Sequence, residues 1–359
     1  MIQQQDLDAA VAEGIIDGAQ AVRIAHLARL RLAAAPLQPD VGEPARIDPD
    51  DERFRLIGGF NDVFVGIGVG LLAGALIGLS RVIGFGNAFA LTAALAAWGL
   101  SEIFARRLRL AFPSILLAIM FAGSAAILAS MIGGPQGFAM RGFRPTSGFS
   151  IFAFAGFGAA AALHYWRFRV PIGLALAAGG AVGAIVAALF MLAPEFMRSF
   201  VNAGFVVAGL VIFAIALKLD MDDPNRRTRH ADAAFWLHLL AAGLIVHPTF
   251  QGIAFAGRLG AAEAILILAL FAVLGIVALV IDRRALLVSG LSYAGIALGY
   301  LISRGVSDNL GLPLALLGLA VLVLALSAGW RRLRGAILPR LPLGSLRDRL
   351  PPVDLPLSS

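Results

Sequence analysis

AAEAILILALFAVLGIVALVI, residues 261–281, decides what kind of chain this is. It carries one ionisable side chain, Glu263, and a bilayer crossing needs roughly 20 consecutive apolar residues. Glu263 sits in the first turn, where a carboxylate complements the positive end of the helix dipole. Working outward, the same pattern recurs from Val63 to Trp330. It predicts ten spans: Val63–Val82, Gly86–Ala105, Leu110–Ile132, Gly148–Trp166, Pro171–Leu192, Val201–Leu217, Ala231–Val246, Ala261–Ile281, Ala285–Ser303 and Leu310–Trp330. The expected fold is all-α, a polytopic membrane helix bundle of about ten helices behind a small N-terminal cytosolic helical hairpin.

The rest of the 359 residues agrees. Hydrophobic residues make up 59% and charged ones 14%, against roughly 25% charged in soluble chains. Mean hydropathy is +0.87. With no cysteine, disulfides, thiolate metal sites and cysteine nucleophiles are excluded. The net charge of +7 comes from 28 arginines and a single lysine, spread through short connections and a basic tail. That distribution fits the positive-inside rule better than a phosphate-binding face for nucleic acid.

Alternate connections hold 11 and 6 basic residues. The richer set includes Arg106, Arg107, Arg109, Arg167, Arg169, Lys218, Arg283 and Arg284, and is expected to face the cytoplasm of a bacterial inner membrane. An even number of spans places both termini there. Residues 1–35 lack the uninterrupted apolar stretch of a signal peptide and read as two short helices, Asp6–Glu13 and Ala19–Ala35, around Gly14. Residues 36–62 form an acidic, proline-rich linker and membrane entry, residues 63–330 the bundle, and residues 331–359 a basic, proline-rich tail suited to anionic lipid head groups.

Gly66, Gly70, Gly74 and Gly78 recur every four residues in the first span. Such a face lets another backbone approach closely, most simply inside the protomer, otherwise in a homo-oligomer. Ala175, Gly179, Gly183 and Ala187 in the fifth span, and Gly295 and Gly299 in the ninth, repeat the device. Ionisable residues within membrane are costly and mark function, yet the spans are nearly empty of them. Glu102 pairs by spacing with Arg106. The run Asp220-Met221-Asp222-Asp223-Pro224-Asn225 reads as a solvated turn, with a divalent cation as the sharper alternative. His164 and His230 are expected near the membrane edge.

His238 and His247 share the seventh span but lie about 180° apart on a straight helix, so one metal cannot take both. Each is expected to bond a facing helix. Pro248 lacks an amide proton and clashes with the carbonyl four residues earlier, so the span is expected to kink or stop there. In the ninth span Ser289, Ser292, Tyr293 and Tyr300 form a hydroxyl stripe, which either bonds a neighbour or faces a polar cavity. His238, His247, Pro248, Ser289, Tyr293, Tyr300 and Glu102 are therefore the candidate cavity or gating residues. No GxSxG, HExxH or phosphate loop appears, and neither a catalytic residue, a metal nor a cofactor is expected.

The opening run Leu7-Asp8-Ala9-Ala10-Val11-Ala12-Glu13-Gly14-Ile15-Ile16, followed by Ala19-Gln20-Ala21, resembles the short cytosolic hairpin of some uncharacterised bacterial polytopic membrane proteins, grouped only as a domain of unknown function. The resemblance implies the polytopic plan and brings no activity or functional residue with it. Two functions remain expected: a small-molecule or lipid permease without a buried carboxylate relay, or a membrane scaffold or sensor meeting cytoplasmic partners through its termini.

Overall fold

The computed structural model describes residues 10–25, 60–83, 88–133, 148–223, 229–254, 260–304, 308–342, 344 and 350. The expectations for the linker, the loop after Gly133 and most of the tail lie outside those residues. The chain divides into two units, Met1–Asp51 and Glu52–Ser359. In the first, residues 10–12 are helical and close on Gly14, whose φ of 73° favours a residue without Cβ. Its N–H donates to the Val11 carbonyl at 3.1 Å and that of Ile15 to the Ala10 carbonyl at 2.9 Å, the paired bonds with which a glycine ends a helix. Asp17 and Gln20 then cap the helix over residues 18–25 reciprocally, Gln20 N–H to Asp17 Oδ1 at 2.6 Å and Asp17 N–H to Gln20 Oε1 at 2.9 Å.

The second unit contains ten α-helices among its described residues: α1 (Phe60–Ile83), α2 (Ala88–Ser101, continued as a π-helix Glu102–Arg107), α3 (Ala111–Ser130), α4 (Gly148–Phe168), α5 (Ile172–Leu192), α6 (Pro194–Asp222), α7 (Arg229–Ala254), α8 (Ala261–Ile281), α9 (Ala285–Ser303) and α10 (Asp308–Ile337). Each of the ten predicted segments is thus mainly helical over its described residues. Eight, all except α2 and α4, contain a described stretch long and apolar enough to cross a membrane. Helices satisfy their backbone within one segment, which lipid demands.

Three helices run beyond their expected bounds, the first being α6, which spans Pro194–Asp222 and not only residues 201–217 and so takes Asp220 into its last turn. Helix α10 runs past Trp330 to Ile337, because the prolines that stop it begin only at Pro339. Helix α7 does not stop at Pro248 but continues to Ala254. The amide that Pro248 lacks would have bonded the Leu244 carbonyl; one residue on, Thr249 Oγ1 donates to the Ile245 carbonyl at 2.7 Å.

Three connections are made by single left-handed residues, Arg109 (φ 53°), Arg169 (φ 56°) and Asp282 (φ 57°), after α2, α4 and α8. Each costs on the order of 1 kcal/mol without glycine. The Arg169 N–H, for one, still bonds the Tyr165 carbonyl at 2.8 Å. Substantial packing joins helices one or two apart in the chain, and each odd-numbered helix also touches the next odd one. The bundle is assembled from sequence-local hairpins.

Glycine seams hold its middle. A Cβ on Gly180 of α5 would overlap the Gly158 backbone of α4, one on Gly183 the Phe154 ring, and one on Gly156 the Ala129 methyl of α3. The glycine row of α1 behaves otherwise. Gly66 abuts the Phe112 ring, whereas Gly70, Gly74 and Gly78 have open space where a Cβ would go. Close packing inside the protomer therefore holds for Gly66 alone. Four residues turn a helix by 400°, so the row drifts by about 40° a step, away from α3.

Overpacking a closed seam costs about 1–3 kcal/mol. Gly180→Leu is therefore expected to lower the detergent melting temperature by several degrees, and Gly74→Leu to leave it within about one degree, in fluorescence-detected size-exclusion melts.

Candidate functional site

Asp220, Asp282, Arg283 and Arg334, all outside the predicted spans, meet His238 of the seventh span where α6, α7, α8, α9 and α10 come together at one end. Asp220 lies two residues before the end of α6 and is 6% exposed. Nine residues into α7, His238 is fully buried and its Nε2–H donates to Asp220 Oδ2 at 2.8 Å. Arg283, in the turn between α8 and α9 and 3% exposed, donates from Nε to the same oxygen at 3.0 Å and from Nη2 to Oδ1. The fork also donates to the Ala231 carbonyl at 3.1 Å, the first turn of α7. Both carboxylate oxygens are thus bonded, and the bidentate Arg–carboxylate pair is the strong form of the interaction.

Asp282, beside Arg283, faces the other way. It accepts from Trp330 Nε1 of α10 at 2.8 Å and lies 3.9 Å from Arg334 Nε, which donates to the Leu279 carbonyl at 3.1 Å. Arg284 places its guanidinium 5.0 Å from the Trp330 ring centre. Trp330 and Arg334 share a face by their i,i+4 spacing. The turn is a clasp, with α6 and α7 held by Arg283 and α10 by Asp282. Around it pack Ala242, Ala278, Leu279, Ile281 and Leu286, while the Phe213 ring meets His238 edge-on at 5.2 Å.

Two expectations fall here. The acidic run after Lys218 is not simply a solvated turn, since Asp220 and Asp223 are both buried. The bundle also does contain a buried carboxylate, so a mechanism without one no longer follows. The reason is tertiary. Asp220 and Arg283 stand 63 residues apart, and only the packing of α6 against the α8–α9 turn brings them together.

All the remaining candidates but Ser289 fall in three places. The exposed His247 places Nδ1 2.7 Å from the hydroxyl of Tyr293, linking α7 to α9 at the edge of a core in which Tyr293 packs with Val246, Phe250, Ala264, Ile267 and Ala297. Pro248 is buried at this contact. Ser292 and Tyr300 instead line a groove of about 490 Å³ between α9 and α10. Ser289 is half-buried and lines neither place, so the hydroxyl stripe divides between two surfaces. Glu102, on the π-helix, binds Arg106 at 3.1 Å and Arg167 of α4 at 2.6 Å.

His164, four residues before the end of α4, faces neighbouring helices. It is fully buried and its Nε2 lies 3.0 Å from Ser101 Oγ, whose proton goes to the Ala97 carbonyl at 2.7 Å. Phe121 and Phe168 flank it. The pair has the atoms of a nucleophile and base, but Ser101 is fully buried as well. No substrate reaches it in this conformation, and it serves to tie α2 to α4. The described residues hold no group of three or more His, Asp or Glu placed for a metal ion.

Eight helices that can cross a membrane and a buried ionic clasp among them define a polytopic α-helical membrane protein. Compared with protein-family models, curated proteins and solved structures, the chain matches none.

Removing one partner of a buried ion pair costs about 3–5 kcal/mol, whereas replacing both by apolar groups is close to neutral. Arg283→Met is expected to lower stability by that amount, and Asp220→Leu/Arg283→Met to recover most of it, in a double-mutant cycle of chemical denaturation closed by Asp220→Leu. A chain truncated after Trp330 loses the Arg334 bond to α8. It is expected to melt several degrees below one truncated after Arg340.

Proposed function

We propose that this protein is a non-enzymatic permease for a small amphiphilic or lipid-like solute in a bacterial inner membrane, with ten crossings and both termini in the cytoplasm. The observation that carries the reading is the Asp220–His238–Arg283 clasp, 0–6% exposed at one end of a bundle of membrane-spanning helices. Ionisable side chains kept there against their desolvation cost mark pathways and gates. The positive-inside count places the clasp end in the cytoplasm, so the clasp closes that side. Its partners sit on three separate parts of the chain, α6 with α7, the α8–α9 turn, and α10, which makes it a point where those parts can separate.

Ten crossings rest on α2 and α4 packing as full partners of α3 and α5. A scaffold that meets cytoplasmic partners through its termini is the rival reading. The exposure of Ile15 and Val22 on the N-terminal unit favours it.

A cysteine-free chain allows a reversible lock. Cysteines replacing Leu279 and Arg334, whose residues touch across the clasp, are bridged with a short bis-methanethiosulfonate. A solute that raises the melting temperature of the purified protein is then offered to proteoliposomes. Uptake is expected to fall at least about tenfold in the bridged protein and to return on reduction. Uptake indifferent to the bridge, or no uptake of any stabilising solute together with crosslinking of residues 10–25 to a cytoplasmic protein, removes the permease reading.

A further inference from the structure

We infer that the groove between α9 and α10, at the end away from the clasp, binds one acyl chain of an anionic phospholipid, with the head group on Arg304. Its volume, about 490 Å³, lies within the roughly 300–1,000 Å³ of small-molecule sites. The floor is built by small residues. Gly311 abuts Ser303, Gly299 faces the Ala315 methyl at 3.6 Å, and Gly295 faces Leu319 at 3.3 Å, each measured from a Cβ built on the glycine. The two helices cross closely there and leave a shallow channel above the crossing.

What the channel faces is read from its surroundings. Val288 and Ile296 on α9, and Leu316, Leu317 and Val321 on α10, are 50–62% exposed, so this side of both helices is turned to hydrocarbon. Lipid chains are therefore the medium at the groove's mouth. Polarity rises along the groove towards the end of α9. The Tyr300 and Ser303 side chains line it, and the exposed Arg304 guanidinium stands 6.0 Å from the Tyr300 ring centre. An aromatic ring and a cation at a helix end are the pair that anchors at the head-group layer, and the cation complements a phosphodiester. An apolar channel that ends on an arginine matches a molecule with a chain and an anionic head. This assignment does not depend on the permease reading.

The test uses the full chain purified in detergent from vesicles of equal phosphatidylglycerol and phosphatidylcholine, with retained lipid counted by native mass spectrometry. Wild type is expected to keep phosphatidylglycerol over phosphatidylcholine on the order of fivefold, the factor given by about 1 kcal/mol for one arginine at the membrane surface. Arg304→Gln is expected to bring the ratio near one. Ser292→Phe, at an exposed lining position, is expected to reduce retention of both lipids. Both side chains are exposed, so an unchanged melting temperature verifies that the variants fold.

Equal retention by wild type, or a preference that survives both substitutions, overturns the assignment. So does efficient Ser292→Cys disulfide formation between copies in the membrane, which gives the groove to a second protomer. Loss of the lipid preference beside bridge-sensitive uptake removes the groove assignment alone. A preserved lipid preference beside bridge-insensitive uptake removes only the permease.

Discussion

Two neighbouring residues of opposite charge, Asp282 and Arg283, hold the second half of the molecule together. The left-handed φ of Asp282 reverses the chain and sends the two side chains in opposite directions. Arg283 goes to Asp220, beside His238, and Asp282 goes to Trp330 and Arg334. A charge taken out of water costs several kcal/mol unless its hydrogen-bonding capacity is met. That cost makes the arrangement specific, because each charge is tolerable only when its partner helix is in place. The ends of α6 and α10 and the start of α7 are thereby placed relative to one turn.

The first half uses another means. Lipid gives helices little hydrophobic reason to associate, so close van der Waals contact and interhelical hydrogen bonds must do so. In α3, α4 and α5 the contact is between backbones at Gly156, Gly158 and Gly180. It is supplemented by Ser101 with His164 and by Glu102 with Arg167. The π-helical end of α2 carries Glu102 at the place where the chain turns towards α3. Glycine seams in one half and an ionic clasp in the other let hairpins assemble in chain order, with packing between helices one or two apart.

The candidate site was legible only in pieces. His238 stood out as an imidazole in an apolar span, but nothing near it in sequence names Asp220 as its partner. Arg283 read as one more cytoplasmic cation, and Trp330 and Arg334 as a span end and the start of a tail. A hint existed in the adjacent Asp282-Arg283 pair at a connection too short to solvate both freely, and in the i,i+4 spacing of Trp330 and Arg334. The glycines misled in the opposite direction. The most regular row, on α1, is the least packed, because regular spacing of four drifts around a helix while a packing seam follows the crossing of two axes.

The sequence by itself determined the medium and the element type. Stretches such as residues 261–281 dissolve in hydrocarbon, and hydrocarbon leaves the backbone no partner but its own helix. Ten helical segments and the turn at Gly14 follow from such local causes. Only the tertiary structure decided that Pro248 lies within a continuous helix, that α10 outlasts its span, and that Asp220, His238 and Arg283 form one buried cluster. Each of these is set by groups distant along the chain, whose meeting depends on how helices cross, and helix crossing leaves no periodic trace in a single sequence.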